Sequence, residues 1–467
     1  MLTFDFSNLS VQKVGSVHGL DLDGVLTEHD AALQAAVQEL FASRHREGAW
    51  TKWLNLGHTE DLAFALKSYA DSVKGKYDDL VVLGIGGSSL GGIALLKALL
   101  HPLWNNLSTE QRQGYPRFHF VDNVDADVIQ GLCDVLDLKR TLVNVISKSG
   151  TTAETMAAFM FFKDRLDATL DNPSQDLRKH LVFTTDKETG ILRELAERLH
   201  VTSFEVPDDV GGRFSIFSAV GLLPAALCGL DVTAFQNGLK DMEALLANPN
   251  PRENPAAQNA LYQVLAYQSG KPISVLMPYS SRLAFVADWY VQLWAESLGK
   301  ATSKKGDRIH VGPTPLKAVG ATDQHSQVQL YNEGPFDKVF TFVAVEHPDH
   351  ATQIPDSLPH VSALGYMAGK GFHELLMAEF LATRSSLTRN QRPNATITLP
   401  KVDAYHFAQL LYFFEVQTAI AGALLNIDPF DQPGVELGKQ YTHALMGRKG
   451  YEHLVAEAKG DFPVSAI

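Results

Sequence analysis

The chain has 467 residues, 45% of them hydrophobic and 20% charged, with a formal net charge of -13. That length predicts two cores, and the composition is that of a globular protein. The acidic balance excludes a nucleic-acid binder, which needs a basic face against phosphates, and argues against an anionic membrane surface. It leaves open a small anionic substrate, which feels the field of its own pocket.

Residues 1–50 read as an N-terminal extension with a helix near 31–43. A β/α alternation follows. Apolar runs at 80–85, 118–122, 142–146, 181–185 and 202–206 read as buried strands, separated by helical patterns at 90–100, 126–136, 154–170 and 191–199. Short apolar runs between helices predict a parallel sheet covered on both faces. A polar stretch at 248–254 reads as a linker. Beyond it come a helix at 256–267, a strand at 273–277, a helix at 282–298 and a loop rich in Gly, Lys and Pro. A strand at 339–346, a helix at 367–388, a strand at 396–399 and an apolar helix at 404–425 complete the pattern, before a loop and a final helix. The expectation is an α/β protein of two doubly wound domains, 51–245 and 246–467.

The two cysteines, Cys133 and Cys228, lie in apolar helical contexts and read as small buried hydrophobes. They cannot build a disulfide framework or a cysteine metal site. The N-terminus MLTFDFSNLSVQK lacks the basic start and apolar core of a signal peptide. The longest apolar stretch, 216–230, contains Ser218, Gly221 and Pro224 and is too short to span a bilayer. A reducing, cytoplasmic compartment is expected.

Four segments carry chemistry. GIGGSSLGG, residues 84–92, sits between a strand and a helix, where glycines let backbone approach an anion. It fails as a dinucleotide fingerprint, because Ser89 replaces the third glycine and Trp104 stands where an acid belongs. SKSGTTAET, 147–155, offers a cluster of hydroxyls at a helix start, more than a cap requires, and reads as a phosphate cradle. Arg213, after two glycines and before apolar residues, suits either a structural carboxylate or a bound anion. In the segment 429–439, Glu436 and Lys439 share a helix face, which by spacing alone describes a surface ion pair.

Together the segments resemble the glucose-6-phosphate isomerase family, from about residue 50 onward. DVGGRFSIFSAVG and GALLNIDPFDQPGVELGK are similar to its two signature patterns, in order, and the two loops to its phosphate-side loops. The resemblance implies two sugar-isomerase (SIS-type) domains and a homodimer with interfacial active sites. It implies a sugar-phosphate substrate and neither metal nor cofactor. Ser147, Ser149 and Thr152 would hold the phosphate, helped by Gly87 and Ser88, while Gln432 and Lys439 line the sugar. Arg213 would sit beside the reacting carbons. Glu296, in WAESLGK, resembles the catalytic base of the shorter bacterial members, with Glu436 as the alternative, and His325, in TDQHS, resembles their ring-opening histidine.

Overall fold

The computed structural model describes residues 1–460. It opens with a short strand, β1 (Thr3–Asp5), which no alternation in the sequence announces. A parallel five-stranded sheet follows: β2 (Asp79–Leu83), β3 (Arg117–Val121), β4 (Thr141–Ile146), β5 (Leu181–Thr185) and β6 (Thr202–Glu205), in spatial order β3-β2-β4-β5-β6. Successive side chains of β2 serve opposite faces: Leu80 and Val82 enter one core, Val81 and Leu83 another. Apolar cores on both faces are why the strand reads as an unbroken apolar run.

The second sheet is mixed. It contains β7 (Ile273–Pro278), the edge strand β10 (Thr314–Lys317), β11 (Lys338–Val345) and β12 (Asn394–Leu399), in the order β1-β12-β11-β7-β10. Its only antiparallel member is β1, so the extension expected to be helical also completes this sheet. Between β7 and β10, a hairpin of β8 (Lys300–Thr302) and β9 (Arg308–Val311) occupies what the sequence offered as loop. These strands are short, three and four residues, and pair only with each other. Pro315 is tolerated in β10 because an edge strand need not donate from every residue. The stretch 248–254 is an ordered turn and not a loose linker. Asn254 is buried, donates to the carbonyls of Leu246 and Asn248, and caps the next helix at the Ala257 amide. Residues 461–467 of the expected second domain lie outside the described residues. Cys228 is buried as expected, but Cys133 is only half-buried, at the end of the Ala126–Cys133 helix.

Two helices join the layers. Leu90–Leu99 follows β2 and Ala284–Leu298 follows β7, and they pack against each other in opposite directions. Gly86, just before the first, lies beside Gln292 of the second, and Arg282, at the head of the second, donates from Nε to the Ala98 carbonyl at 2.6 Å.

The longest apolar helix is Ala404–Leu424, not the 216–230 stretch. At 21 residues and mean hydropathy 1.3 it is long and apolar enough to cross a membrane, yet 89% of that window is buried within the fold. Helices Val232–Leu246, Pro255–Gln268 and Ala284–Leu298 surround it. It carries Glu415, which is buried with Oε1 lacking any hydrogen-bond partner; burial pushes its carboxyl well above the usual carboxylate range. The folded state therefore holds a proton that the unfolded chain releases above about pH 4.3. Stability falls as pH rises through that window, at about 1.4 kcal/mol per pH unit. Glu415→Gln should be more stable than wild type in urea titrations at pH 8, with a gain that shrinks toward zero near pH 4.

Candidate active site

Arg213 is 3% exposed and lies in the short 3-10 turn Gly212–Phe214. Its Nε donates to Ser297 Oγ at 2.7 Å. Nη1 reaches Gln432 Oε1 at 3.0 Å and Glu296 Oε2 at 3.4 Å, and Nη2 donates to the backbone carbonyls of Pro429 and Asp431. Burial pulls the guanidinium below its ordinary value, opposed by Glu296, Asp431 and Asp428. With donors this well matched, it stays a cation. One side chain thus ties the loop after β6 to the tail of the Ala284–Leu298 helix and to the 429–432 turn.

The approach of Arg213 depends on glycine. A Cβ on Gly87 would stand 2.3 Å from the Gly212 carbonyl carbon, so the close approach of these backbones requires glycine at position 87, whereas a Cβ on Gly212 would make only ordinary contact at 3.6 Å. Gly86 adopts φ +57°, and a Cβ there would lie 3.1 Å from Gln292 Nε2. Gln292 in turn donates to Glu296 Oε2 at 3.4 Å from one helical turn earlier. One turn later, the buried Lys300 donates to the Glu296 carbonyl at 2.9 Å and pairs with Asp431 at 2.9 Å. Burial lowers the Lys300 ammonium, opposed by Asp431. Sequence reasoning missed Gln292 and Lys300. The signal for Gln292 was its i, i+4 spacing to Glu296 on one helix face, whereas Lys300 begins β8 beyond the helix end and is brought back only by the chain turn at Gly299.

Two clefts adjoin this junction. One, of about 760 Å³, is lined by Glu296, Lys300, His310 and Gln432. The other, of about 420 Å³, is lined by Ile85, Ser149, Thr152, Glu436 and Lys439. The 432–443 segment runs through both. Ser147 lines neither: it is buried, accepts from the Gly150 amide at 3.0 Å and shares a hydrogen bond with Thr152 Oγ1 at 3.2 Å, which organises the loop from behind. Gly87 and Ser88 are half-buried and line neither cleft. Thr152 is the N-cap residue of the Ala153–Thr169 helix, yet its side chain makes no capping hydrogen bond. Glu436 and Lys439 are exposed and joined at 2.7 Å, the ion pair their spacing suggested.

His325 is not brought to either cleft. It is exposed and follows the 3-10 turn Thr322–Gln324, where Gln324 accepts from the Tyr279 hydroxyl at 2.5 Å. Tyr279 precedes the head of the Ala284–Leu298 helix, and Glu296 lies near its tail, about 18 Å along the axis from Ala284 at 1.5 Å per residue. Within one chain the imidazole and the carboxylate are apart.

The two-glycine contact yields a clean test. Gly87→Ala should lower stability by about 1–3 kcal/mol in chemical denaturation, the usual cost of forced overpacking. Gly434→Ala, with nothing within 4 Å of the added Cβ, should change it by less than about 0.5 kcal/mol.

Comparison with known proteins gives the same picture. The family model described as phosphoglucose isomerase matches residues 63–461. A glucose-6-phosphate isomerase of Carboxydothermus hydrogenoformans is 40% identical over 97% of this chain and 96% of its own. One of Rubrobacter xylanophilus is 41% identical over 96% of this chain and 99% of its own. Among solved structures, a hypothetical protein of Thermus thermophilus superposes with TM-score 0.85 at 36% identity, covering 96% of this chain and all of the other. A glucose-6-phosphate isomerase of Chlamydia trachomatis shares the fold at TM-score 0.78 and 24% identity, covering 98% of this chain and 90% of its own. The chain belongs to the phosphoglucose isomerase family.

Proposed function

We propose that the chain interconverts D-glucose 6-phosphate and D-fructose 6-phosphate by ring opening followed by proton transfer through a cis-enediol. Family membership supports the substrate pair. The observation that carries the reading at the level of residues is Arg213, whose guanidinium touches both Glu296 and Gln432 beside a cleft lined by Ser149 and Thr152.

Ser149 and Thr152 take the phosphate oxygens, and Ser147 with the Gly87–Ser88 turn holds the cradle in shape. Lys439, on the far wall of that cleft, lies between phosphate and ring. With the ring open, Glu296 removes the C2 proton and returns it to C1, and the electron pair moves through the enediol so that no oxidant is needed. Gln292 and Arg213 hold the carboxylate itself, and Lys300 anchors the Glu296 backbone carbonyl. Arg213 offsets the negative charge that develops on the enediolate oxygens, a role worth about 3 kcal/mol when removed.

The remaining assignments belong to the same reading. The domains are two sugar-isomerase units, 51–245 and 246–467, each doubly wound on one sheet, with 1–50 packed on the second. Phosphorylated sugars cannot cross a bilayer unaided, so a cytoplasmic location fits, with neither nucleic acid nor membrane as partner. Ring opening falls to His325 of a second copy, because an exposed imidazole that lines neither cleft and lies by the opposite end of the Ala284–Leu298 helix from its own Glu296 serves only across a homodimer interface. A second reading gives this step to His310, which lines the cleft that holds Glu296.

Glu296→Gln should lower kcat for exchange by about 10³-fold or more while sugar phosphate still binds. Unchanged turnover would move the base to Glu436. Mixing inactive Glu296→Gln and His325→Ala chains should restore about a quarter of wild-type activity, since half the dimers then carry one intact shared site. No recovery, together with loss of activity in His310→Ala, would favour the one-chain reading.

A further inference from the structure

The catalytic clefts lie where the carboxyl end of the first sheet meets the tail of the helix that follows β7. The second sheet has a carboxyl end of its own, which the mechanism above does not use. Counted in chain order, the parallel strands of the first sheet lie second, first, third, fourth, fifth, and those of the second lie second, first, third, fourth. In such sheets the ligand crevice opens outside the carboxyl ends of the first and third strands, where the winding reverses. In the first sheet these are β2 and β4, whose loops carry Ser88 and Ser149. In the second they are β7 and β11, and the residues that follow them, Tyr279 to Arg282 and His347 to His350, line a separate cavity of about 540 Å³. That volume suits a small metabolite.

The antiparallel helix pair makes the correspondence closer. Gly86, at the head of Leu90–Leu99, lies beside Gln292 near the tail of Ala284–Leu298, on the side of the catalytic clefts. Leu100 and His101, just past the tail of Leu90–Leu99, wall the new cavity at the head of Ala284–Leu298. The two crevices therefore lie toward opposite ends of the helix pair.

The lining suits a phosphorylated ligand. Among the described residues, neither Ser280 nor Ser281 has a side-chain hydrogen bond to protein, so both hydroxyls are available. Arg282 brings a cation to the wall, held by Asp349 and by the carbonyls of Ala98 and Val402. His347 and His350 add imidazole donors on the opposite loop, and no metal-holding group of His, Cys, Asp or Glu forms among the described residues. Leu99, Phe372 and Leu376 supply the apolar flank on which a sugar ring can rest.

We infer that this crevice is a second binding site, for a phosphorylated monosaccharide, distinct from the catalytic centre; the inference rests on reading the β2/β4 crevice as the phosphate site. The test is equilibrium dialysis of the full chain against radiolabelled glucose 6-phosphate, up to about 10 mM. Wild type should bind two equivalents per chain. Ser281→Asp sets a carboxylate where the phosphate would lie, at a helix start that tolerates acids. It should bind one equivalent, with kcat/KM within about twofold of wild type. Leu376→Trp, which fills the cavity without changing charge, should do the same. The combined S149A and T152A variant should keep one equivalent while losing turnover. One equivalent in wild type, or two in both cavity variants, overturns the second site and leaves the isomerase reading intact. Full turnover by the S149A and T152A variant would instead unseat the phosphate assignment on which the inference rests.

Discussion

A buried guanidinium organises the centre of this molecule. Taking a cation out of water costs several kcal/mol unless its donors are satisfied. Arg213 meets that condition with Ser297 and Glu296 from one helix, Gln432 from the 429–432 turn, and two backbone carbonyls from the same turn. These partners come from parts of the chain more than eighty residues away from Arg213. Their convergence gives the interdomain junction one arrangement, because any other leaves a charge without partners in an apolar setting.

The rest of the site follows from that constraint. Arg213 reaches the junction because Gly87 lets two turns touch, and the same glycine loop sets Gly86 against Gln292. Gln292 then holds the Glu296 carboxylate from one turn before, and Lys300, beyond the helix end, holds its backbone carbonyl. A base that must meet a carbon acid is useful only if its oxygens stay in place, and here the surrounding contacts are made before substrate arrives. The hydroxyl loop is similarly prepared, with Ser147 turned inward to brace it and Ser149 and Thr152 facing the cleft.

The two sheets repeat one winding, and their first helices run antiparallel at the junction. That arrangement sends the tail of one sheet's helix to the crevice of the other. Glu296 sits near a helix tail of the second sheet, tied through Arg213 and Gln292 to the loops at the carboxyl end of the first. Single-sheet α/β sites, built only from strand carboxyl ends, lack this element from a second sheet.

Much of this was legible in the sequence. Buried strands of a parallel sheet are short apolar runs, and the helices between them are periodic, so the first sheet and the strands β7, β11 and β12 of the second were visible to within a few residues. Loops that approach an anion need glycine and hydroxyls at a strand end, so GIGGSS and SKSGTT stood out on composition. Arg213, Glu296 and Gln432 were readable as candidates because each lies in a distinctive segment. What only the tertiary structure decided is pairing at a distance. β1, β8, β9 and β10 are too short to carry a periodicity; β1 and β10 exist as strands because a neighbour far away in sequence supplies their hydrogen bonds, and β8 and β9 because they close on each other as a hairpin. The inward turn of Ser147, the bracing by Gln292 and Lys300, and the separation of His325 from Glu296 were likewise set by packing. Local sequence determines which element forms and which face is apolar; where two faces meet, and which charges must then satisfy each other, is determined only when the whole chain closes.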